Sequence, residues 1–207
     1  MLGELYAAAG GPSSALRDIW QGAAEAARMA PTEQRKHIAH TGASAAIGLF
    51  TGLAADTTAL HELQVISGEP ASKEVRALLA VSRGDSAAAR RTLAEPESTT
   101  YGKHMYRVLT EPLAAQAYYL LGDYETTIRV LEGYQPSALQ TGGFDSGWGM
   151  LGRVRLLRGA AYERLGRRSE AREQYREVLA QWKKADAALQ PFVQQAQQGL
   201  ARVGHAG

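Results

Sequence analysis

The sequence predicts an all-α fold in which pairs of antiparallel helices repeat along the chain and stack as a solenoid. First, alanine, leucine, arginine, glutamine and glutamate recur throughout while runs of β-branched residues are almost absent, a composition that favours helix. Second, one order of residues returns several times: a small residue, an aromatic, a glycine turn, then another small residue and aromatic. Third, prolines fall near the expected unit boundaries or first helical turns, where a missing N–H costs little. These prolines are Pro31, Pro70, Pro96, Pro112, Pro136 and Pro191.

The clearest unit spans residues 157–179, where two helical runs flank Gly166. A glycine at this point provides the tight turn between the two runs. Gly159 and Ala171 are small enough to let the helix backbones approach, and Tyr162 and Tyr175 fill the space beside them. The unit is therefore predicted to be a compact helical hairpin.

Turn glycines in the same phase predict about five helix pairs. These glycines are Gly10, Gly52, Gly84, Gly122 and Gly166. Their spacings are 42, 32, 38 and 44 residues, and the predicted units are 1–30, 31–69, 70–96, 104–136 and 150–187. The segment 189–203 is predicted to be a single amphipathic helix that caps the solenoid, because its apolar positions share one face while glutamines occupy the other. The apolar positions are Val193, Ala196, Leu200 and Val203.

This order of small residues, aromatics and turn glycines closely resembles the consensus of tetratricopeptide (TPR) repeats, whose period is about 34 residues. The resemblance implies a TPR-like α-α superhelix that binds a protein or peptide. Roughly the last 60 residues, from Trp148 onward, are also similar to the C-terminal repeats of large bacterial regulators, in which a TPR array follows a protein kinase or winged-helix domain. That similarity implies a sensory or docking module of a signalling protein. The kinase motifs themselves are absent, so it transfers no catalytic residue.

The beginning of the sequence predicts an open end of the array. Met1 enters in the middle of what should be the first helix of a unit, so we expect the chain to be a fragment of a longer polypeptide. An open end exposes apolar surface, which favours an alternative hypothesis: a self-associating structural element with no separate ligand. Charged substitutions at Leu2 and Leu5, followed by light scattering, would separate the two hypotheses.

Composition and charge exclude several classes of protein. The formal net charge is +2, too small to imply a polyanionic partner, and the chain has no cysteine for disulfides or thiolate metal sites. The beginning of the sequence is not a secretion signal, which would have a basic start followed by an apolar run, because it carries the acidic residues Glu4 and Asp18 instead. No stretch of about 18 uncharged apolar residues could span a membrane. We therefore expect a soluble cytoplasmic protein without a membrane partner.

One group of residues has the spacing of a metal site. Glu33, His37 and His40 lie at i, i+4 and i+7, which could place three ligands on one helix face. A polar helix face, with His37 and His40 at a helix–helix seam, is the favoured interpretation. A catalytic zinc helix would show His-Glu-x-x-His, and after His61-Glu62 the second histidine is replaced by Val65. No metal is expected.

Residues 147–152 spell Gly-x-Gly-x-x-Gly, which marks dinucleotide sites when it follows a strand. Residues 140–146 instead predict a turn-rich loop, so the segment is expected to be an inter-repeat connection with Trp148 folded back onto the array. No serine has the context of a nucleophile elbow, and there is no cysteine nucleophile. We therefore expect no enzyme activity and no cofactor.

Basic residues concentrate between positions 151 and 184, which hold ten Lys or Arg against four Glu. Arg168, Arg172 and Arg176 recur at i, i+4 and i+8 and predict a stripe along one helix face. The stripe could meet phosphate or an acidic peptide, but a solvated outer face is the simpler interpretation, and no aromatics are interleaved to stack on bases. Nucleic acid is therefore not an expected partner.

The resemblance places a peptide-binding groove on the first helices of the pairs, which line the inside of a TPR superhelix. By helical phase, the side chains expected in that groove are Gln116, Tyr119, Arg153, Glu163 and Arg164. The phase assigns Tyr118 to packing and leaves Tyr119 pointing inward, although packing of Tyr119 on the adjacent unit is an equal alternative. The aromatic side chains expected in the core are Tyr6, Tyr118, Tyr162, Tyr175 and Trp182.

Overall fold

The computed structural model describes residues 73–96, 103–134 and 146–204, apart from 186 and 188, together with Met29 and Thr32. Within these residues the chain forms seven α-helices and no strand, so the predicted all-α class is confirmed for this part of the chain. The helices are α1 (Lys73–Ser82), α2 (Ser86–Leu93), α3 (Lys103–Leu120), α4 (Tyr124–Glu132), α5 (Ser146–Arg164), α6 (Arg168–Gln181) and α7 (Gln190–Gly204). Apart from Met29 and Thr32, the predicted units 1–30 and 31–69 lie outside the described residues, as do Gly10, Gly52 and Tyr6.

The first six helices form three hairpins, each closed by one of the predicted turn glycines. Gly84, Gly122 and Gly166 have φ angles of 79°, 76° and 73°, in the left-handed region that favours glycine. Each turn has the same two backbone hydrogen bonds, the pattern of a Schellman motif. In the third turn the Gly166 N–H donates to the Glu163 carbonyl and the Arg167 N–H donates to the Tyr162 carbonyl, at 3.0 and 2.9 Å. Equivalent glycines therefore produce equivalent turns.

An aspartate begins the second helix in two of the three hairpins. The Asp85 carboxylate accepts the Ala88 N–H at 2.8 Å, and the Asp123 carboxylate accepts the Thr126 N–H at 3.1 Å. Each bond satisfies one of the backbone donors that a helix leaves unpaired at its start. Arg167 occupies the same position before α6 and makes no side-chain capping bond.

The ring of Tyr175 is the centre of the best-packed region. Tyr175 lies on α6 and is 1% exposed, between Gly159 of α5 and Gly199 of α7. A Cβ on Gly159 would lie 2.8 Å from Cε1 of Tyr175, and one on Gly199 would overlap the ring. The two glycines thus allow α5 and α7 to approach α6 from both sides. Tyr162 and Trp182 are also buried, so three of the predicted core aromatics are confirmed.

Helices α5 and α7 run parallel and in register. The guanidinium carbon of Arg153 lies 5.0 Å from the centroid of the Phe192 ring, and Arg202 pairs with Glu163. Both contacts join residues 39 positions apart, so advancing ten residues along α5 also advances ten along α7. α7 presents the predicted apolar face to the core and its glutamines to solvent.

The hairpins stack with their turns along one edge. Arg90 of α2 donates to the Leu121 carbonyl in the second turn at 3.1 Å, which joins the first hairpin to the second. Arg164, at the end of α5, donates through Nε to the Tyr124 hydroxyl at 3.1 Å, which joins the second hairpin to the third. Because both bonds reach the turn region, the C-terminal ends of α3 and α5 are neighbours.

Two expectations from the sequence are wrong, the placement of Pro112 and the connection at residues 147–152. Pro112 lies inside α3 rather than in a first turn, and it is buried. The missing N–H is tolerated because the flanking side chains of Leu113 and Ala115 are packed in the core. Helix α5 begins at Ser146, so the segment 147–152 is helical and is not a connection. Gly152 is buried in this helix because the Trp182 ring packs where its Cβ would lie.

Candidate functional site

The C-terminal turns of α3, α5 and α7 lie side by side and carry a group of aromatic and charged side chains near the start of α4. We call this group the turn-edge cluster. It consists of Tyr119, Tyr124, Glu163, Arg164 and Arg202. The cluster contains three of the five residues predicted to line a groove, together with two that the prediction missed.

Glu163 connects all three helices of the C-terminal region. Its Oε1 accepts Nε of Arg202 at 2.6 Å, and its Oε2 accepts Nη2 of Arg202 at 3.0 Å and the Tyr175 hydroxyl at 2.7 Å. The hydrogen bonds from Arg202 hold the pKa of Glu163 below its ordinary value of 4.5; partial burial opposes this effect, and the bond from Tyr175 adds to it. Glu163 is therefore a carboxylate at neutral pH whose acceptor positions are in use.

Burial is the largest influence on Tyr175, and it raises the pKa of this phenol; the hydrogen bond to Glu163 acts in the same direction. The hydroxyl consequently remains protonated and donates to Glu163 at neutral pH. Since the ring is packed between two glycines, this bond fixes the Glu163 side chain relative to the core. The arrangement makes Glu163 a rigid base for the cluster.

Tyr119, Tyr124 and Arg164 form the aromatic part of the cluster. The Tyr119 and Tyr124 rings meet edge to face, with centroids 5.3 Å apart and planes at 62°. The guanidinium carbon of Arg164 lies 5.6 Å from the Tyr124 centroid, and Nε of Arg164 donates to the Tyr124 hydroxyl. The ring of Tyr124 and its hydroxyl therefore both hold Arg164.

Tyr119 packs on the adjacent hairpin, which is one of the two placements that the sequence leaves open. It is partly buried and packs against the core that includes Tyr162 and Tyr175, on the adjacent hairpin. Its phenol also lies within electrostatic range of Glu163 and Arg164, although burial is the largest influence and raises the pKa of Tyr119. Tyr119 is thus a half-exposed side chain at the edge of the core.

The other two predicted groove residues lie apart from the cluster. Gln116 is half-buried on α3, one helical turn before Tyr119 and on the same side of the helix. Arg153 stacks on Phe192 near the middle of α5, about 15 Å from Glu163 along the helix axis. Desolvation lowers the pKa of Arg153. Arg153 therefore serves the contact between α5 and α7, and the cluster lies elsewhere.

Tyr124 and Arg202 escape the sequence prediction for different reasons. Tyr124 begins a second helix, and the groove of a TPR-like array is expected on first helices only. Arg202 lies on α7. The prediction of α7 as a capping helix considers only the apolar face of that helix. A periodic signal exists, because Tyr119 and Glu163 each lie three residues before a turn glycine. Arg202 occupies the equivalent position on α7, 39 residues after Glu163. Treating α7 as another first helix would identify Arg202.

A separate cleft of about 320 Å³ lies between the first and second hairpins. Tyr118 lines this cleft and is only partly buried, so its assignment to the core is wrong; α3 leaves a gap beside it that the first hairpin does not fill. The charged side chains in the lining are Lys73, Glu74, Glu111 and Arg129. Their formal charges cancel, so the cleft favours neither anions nor cations.

The remaining sequence candidates give no chemical site in the part of the chain that the structure describes. The Gly-x-Gly-x-x-Gly segment is the start of a helix that no described strand precedes. Glu33, His37 and His40 lie outside the described residues, and no group of three potential metal ligands occurs within them.

The predicted basic stripe is interrupted in its middle. Arg168 and Arg176 are exposed on α6, but Arg172 is half-buried, and its Nη2 donates to the Val203 carbonyl at 3.1 Å. A cation near the last carbonyls of a helix satisfies acceptors that the helix leaves open. Arg172 therefore stabilises the end of α7, because α7 packs over this part of α6.

Comparison of the chain with models of protein families, with curated proteins and with solved structures finds no match. Among the described helices, none has both the length and the apolar character needed to cross a membrane. Function is therefore inferred from the sequence pattern and from the geometry of the turn-edge cluster.

Proposed function

We propose that the chain is a TPR-like interaction module that binds a peptide or protein segment across the face formed by α3, α5 and α7. The observation that carries this proposal is the turn-edge cluster, which draws side chains from four helices, α3, α4, α5 and α7. Such a surface exists only after the hairpins have stacked. Aromatic and arginine side chains are the residues that most often anchor protein interfaces.

The repeated geometry supports the TPR-like part of the proposal. Three hairpins have the same left-handed glycine turn, their turns lie along one edge, and α7 repeats the placement of α5 with an offset of 39 residues. Stacked repeats of this kind present an extended surface made of equivalent helices. The similarity of the last repeats to those of bacterial regulators supports a place in a bacterial signalling or regulatory protein.

A non-catalytic role agrees with the chemistry of the cluster. Both oxygens of Glu163 already accept hydrogen bonds from Arg202 or Tyr175, so it is poorly placed to accept a proton from a substrate. Tyr119 and Tyr175 have raised pKa values and remain neutral phenols. These groups can hold a partner by contact and hydrogen bonding. The alternative of self-association through the beginning of the chain concerns residues outside the described ranges.

Peptide selection followed by mapping tests this proposal. The full chain is used to select binders from a random peptide library, and a selected peptide is titrated into isotope-labelled protein. We expect the largest NMR shift changes in the C-terminal turns of α3, α5 and α7. Failure to enrich any peptide, or shift changes confined to α1, α2 and α6, would refute the proposed binding face.

A further inference from the structure

The charge of Arg164 is not neutralised within the turn-edge cluster. The cluster contains two arginines and one carboxylate, and Arg202 takes both oxygens of Glu163. Arg164 instead bonds to the neutral hydroxyl of Tyr124 and forms no ion pair with any side chain of the described ranges. The cluster therefore carries one net positive charge, located on an exposed guanidinium.

Glu163 cannot supply the missing counter-charge without losing its own contacts. It is adjacent to Arg164 in sequence, but its oxygens accept three hydrogen bonds from Arg202 and Tyr175. Turning toward Arg164 would break the bonds that join α5 to α6 and α7. A carboxylate that forms a bidentate pair with Arg164 would then come from outside this group of residues.

The orientation of Arg164 suits a carboxylate. Its Nε is used by the Tyr124 hydroxyl, and its guanidinium carbon lies 5.6 Å from the centroid of the Tyr124 ring. A guanidinium has five N–H donors, so four remain on the two terminal nitrogens. Those nitrogens form the fork that binds a carboxylate through two parallel hydrogen bonds. Because the side chain is already held, little rotamer freedom remains to be lost on binding.

We propose that Arg164 binds the carboxylate of an aspartate or glutamate side chain in an acidic peptide segment that lies across α3, α5 and α7. The half-exposed ring of Tyr119 contacts the apolar part of the same segment, and Tyr124 positions the guanidinium. This inference rests on the proposed function and adds the chemical class of the partner. Charge complementarity with the uncompensated Arg164 is the argument for an acidic occupant.

An array of paired peptides tests the inference with the full chain. Each random decapeptide that contains Asp or Glu is synthesised beside a twin in which those residues are Asn or Gln. The acidic member of a binding pair is expected to bind about tenfold more tightly than its amide twin. This advantage should fall as salt concentration rises, because an exposed charge pair is screened.

Variants assign the advantage to one side chain. Arg164→Gln should abolish the acidic preference, whereas Arg176→Gln, which removes the same charge from an exposed position on α6, should retain it. Arg164→Lys keeps the charge without the fork and should retain only part of the preference. Tyr124→Phe removes the hydroxyl that holds Arg164 and should reduce the preference for acidic peptides over their amide twins.

The outcomes separate this inference from the proposed function. If both members of each pair bind equally, or if the acidic preference survives Arg164→Gln, the carboxylate assignment is wrong while peptide binding stands. Tighter binding of phosphotyrosine peptides than of acidic ones would also refute the assignment to a carboxylate. If no member of the array binds, both the inference and the proposed function fail.

Discussion

Replacement of Glu163 by glutamine removes one charge from the turn-edge cluster and leaves its shape nearly unchanged. The amide oxygen can still accept the Tyr175 hydroxyl, but the amide nitrogen cannot accept a bond from Arg202. The two charge-assisted bonds between α5 and α7 are therefore lost or weakened. The variant tests whether α7 is held to α5 by this pair as well as by apolar packing.

The expected loss of stability follows from how exposed the pair is. Hydrogen bonds to charged groups contribute about 1.5–3 kcal/mol when well buried, and exposed ion pairs contribute about 0.2–1 kcal/mol. The Glu163 side chain is 23% exposed and that of Arg202 is 56% exposed, so the pair falls between these limits. We expect Glu163→Gln to lower the free energy of unfolding by about 1–2 kcal/mol. For a chain of this length that corresponds to a fall in Tm of about 2–8 °C.

The stability difference between the wild type and Glu163→Gln should depend on pH. Because the folded pKa of Glu163 is lowered, its contribution to stability is complete above pH 4.5 and is lost as the pH falls through the folded value. Thermal unfolding of the wild type and Glu163→Gln should therefore differ most near pH 7 and least near the acid limit. Glu173→Gln, an exposed carboxylate on α6, is the control and should change Tm little. An equal Tm difference at both pH limits, or none at pH 7, would refute the reasoning.

Three further substitutions have expected outcomes in thermal or chemical unfolding. Gly166→Ala should destabilise the chain by about 1–2 kcal/mol because φ is 73° there. Gly204→Ala is the control, since a methyl group meets nothing within 4 Å at either position, and it should not destabilise the chain. Equal effects of the two substitutions would contradict the turn geometry. Asp123→Ala should cost about 1 kcal/mol through the lost helix cap, and an unchanged Tm would count against that cap. Gly199→Val should force α7 away from the Tyr175 ring at a cost of at least about 1–3 kcal/mol, seen as faster amide exchange in α7; unchanged exchange would argue against this contact.

The hairpins could be predicted from sequence because their signals are local. A left-handed turn favours glycine whatever surrounds it, so Gly84, Gly122 and Gly166 mark their turns without tertiary information. The close approach at Gly159 was predictable in the same way, because a glycine inside one helix lies opposite a tyrosine of the next helix, and the ring fills the space that a side chain would occupy. Periodicity and turn chemistry therefore specified the helix pairs.

The errors arose where tertiary packing decided the outcome. Pro112 is tolerated inside α3, and the glycines of residues 147–152 are accepted inside α5, because the gain from packing exceeds their low helix propensity. Arg172 contacts the end of α7 only because α7 packs over α6. Such roles depend on contacts between helices, and the pattern within a single helix does not reveal them.

The turn-edge cluster was predictable only in part for the same reason. Tyr119, Glu163 and Arg164 lie on helix faces that the phase identifies, but their grouping with Arg202 depends on the parallel register of α5 and α7. That register is set by the glycines that pack around Tyr175. Inter-helix register is a three-dimensional property with a weak local signal.

The stacking of the second hairpin, the third hairpin and α7 is tested most directly by a nuclear Overhauser spectrum of the full chain with isotope-labelled tyrosine, arginine and glycine. The contact between Tyr175 and Gly159 within the third hairpin serves as the internal control. We predict additional cross-peaks from the Tyr124 ring to the Arg164 side chain and from the Tyr175 ring to the Gly199 α-protons. If the control is present and these two cross-peaks are absent, the hairpins form but do not stack as described, and the binding face does not exist.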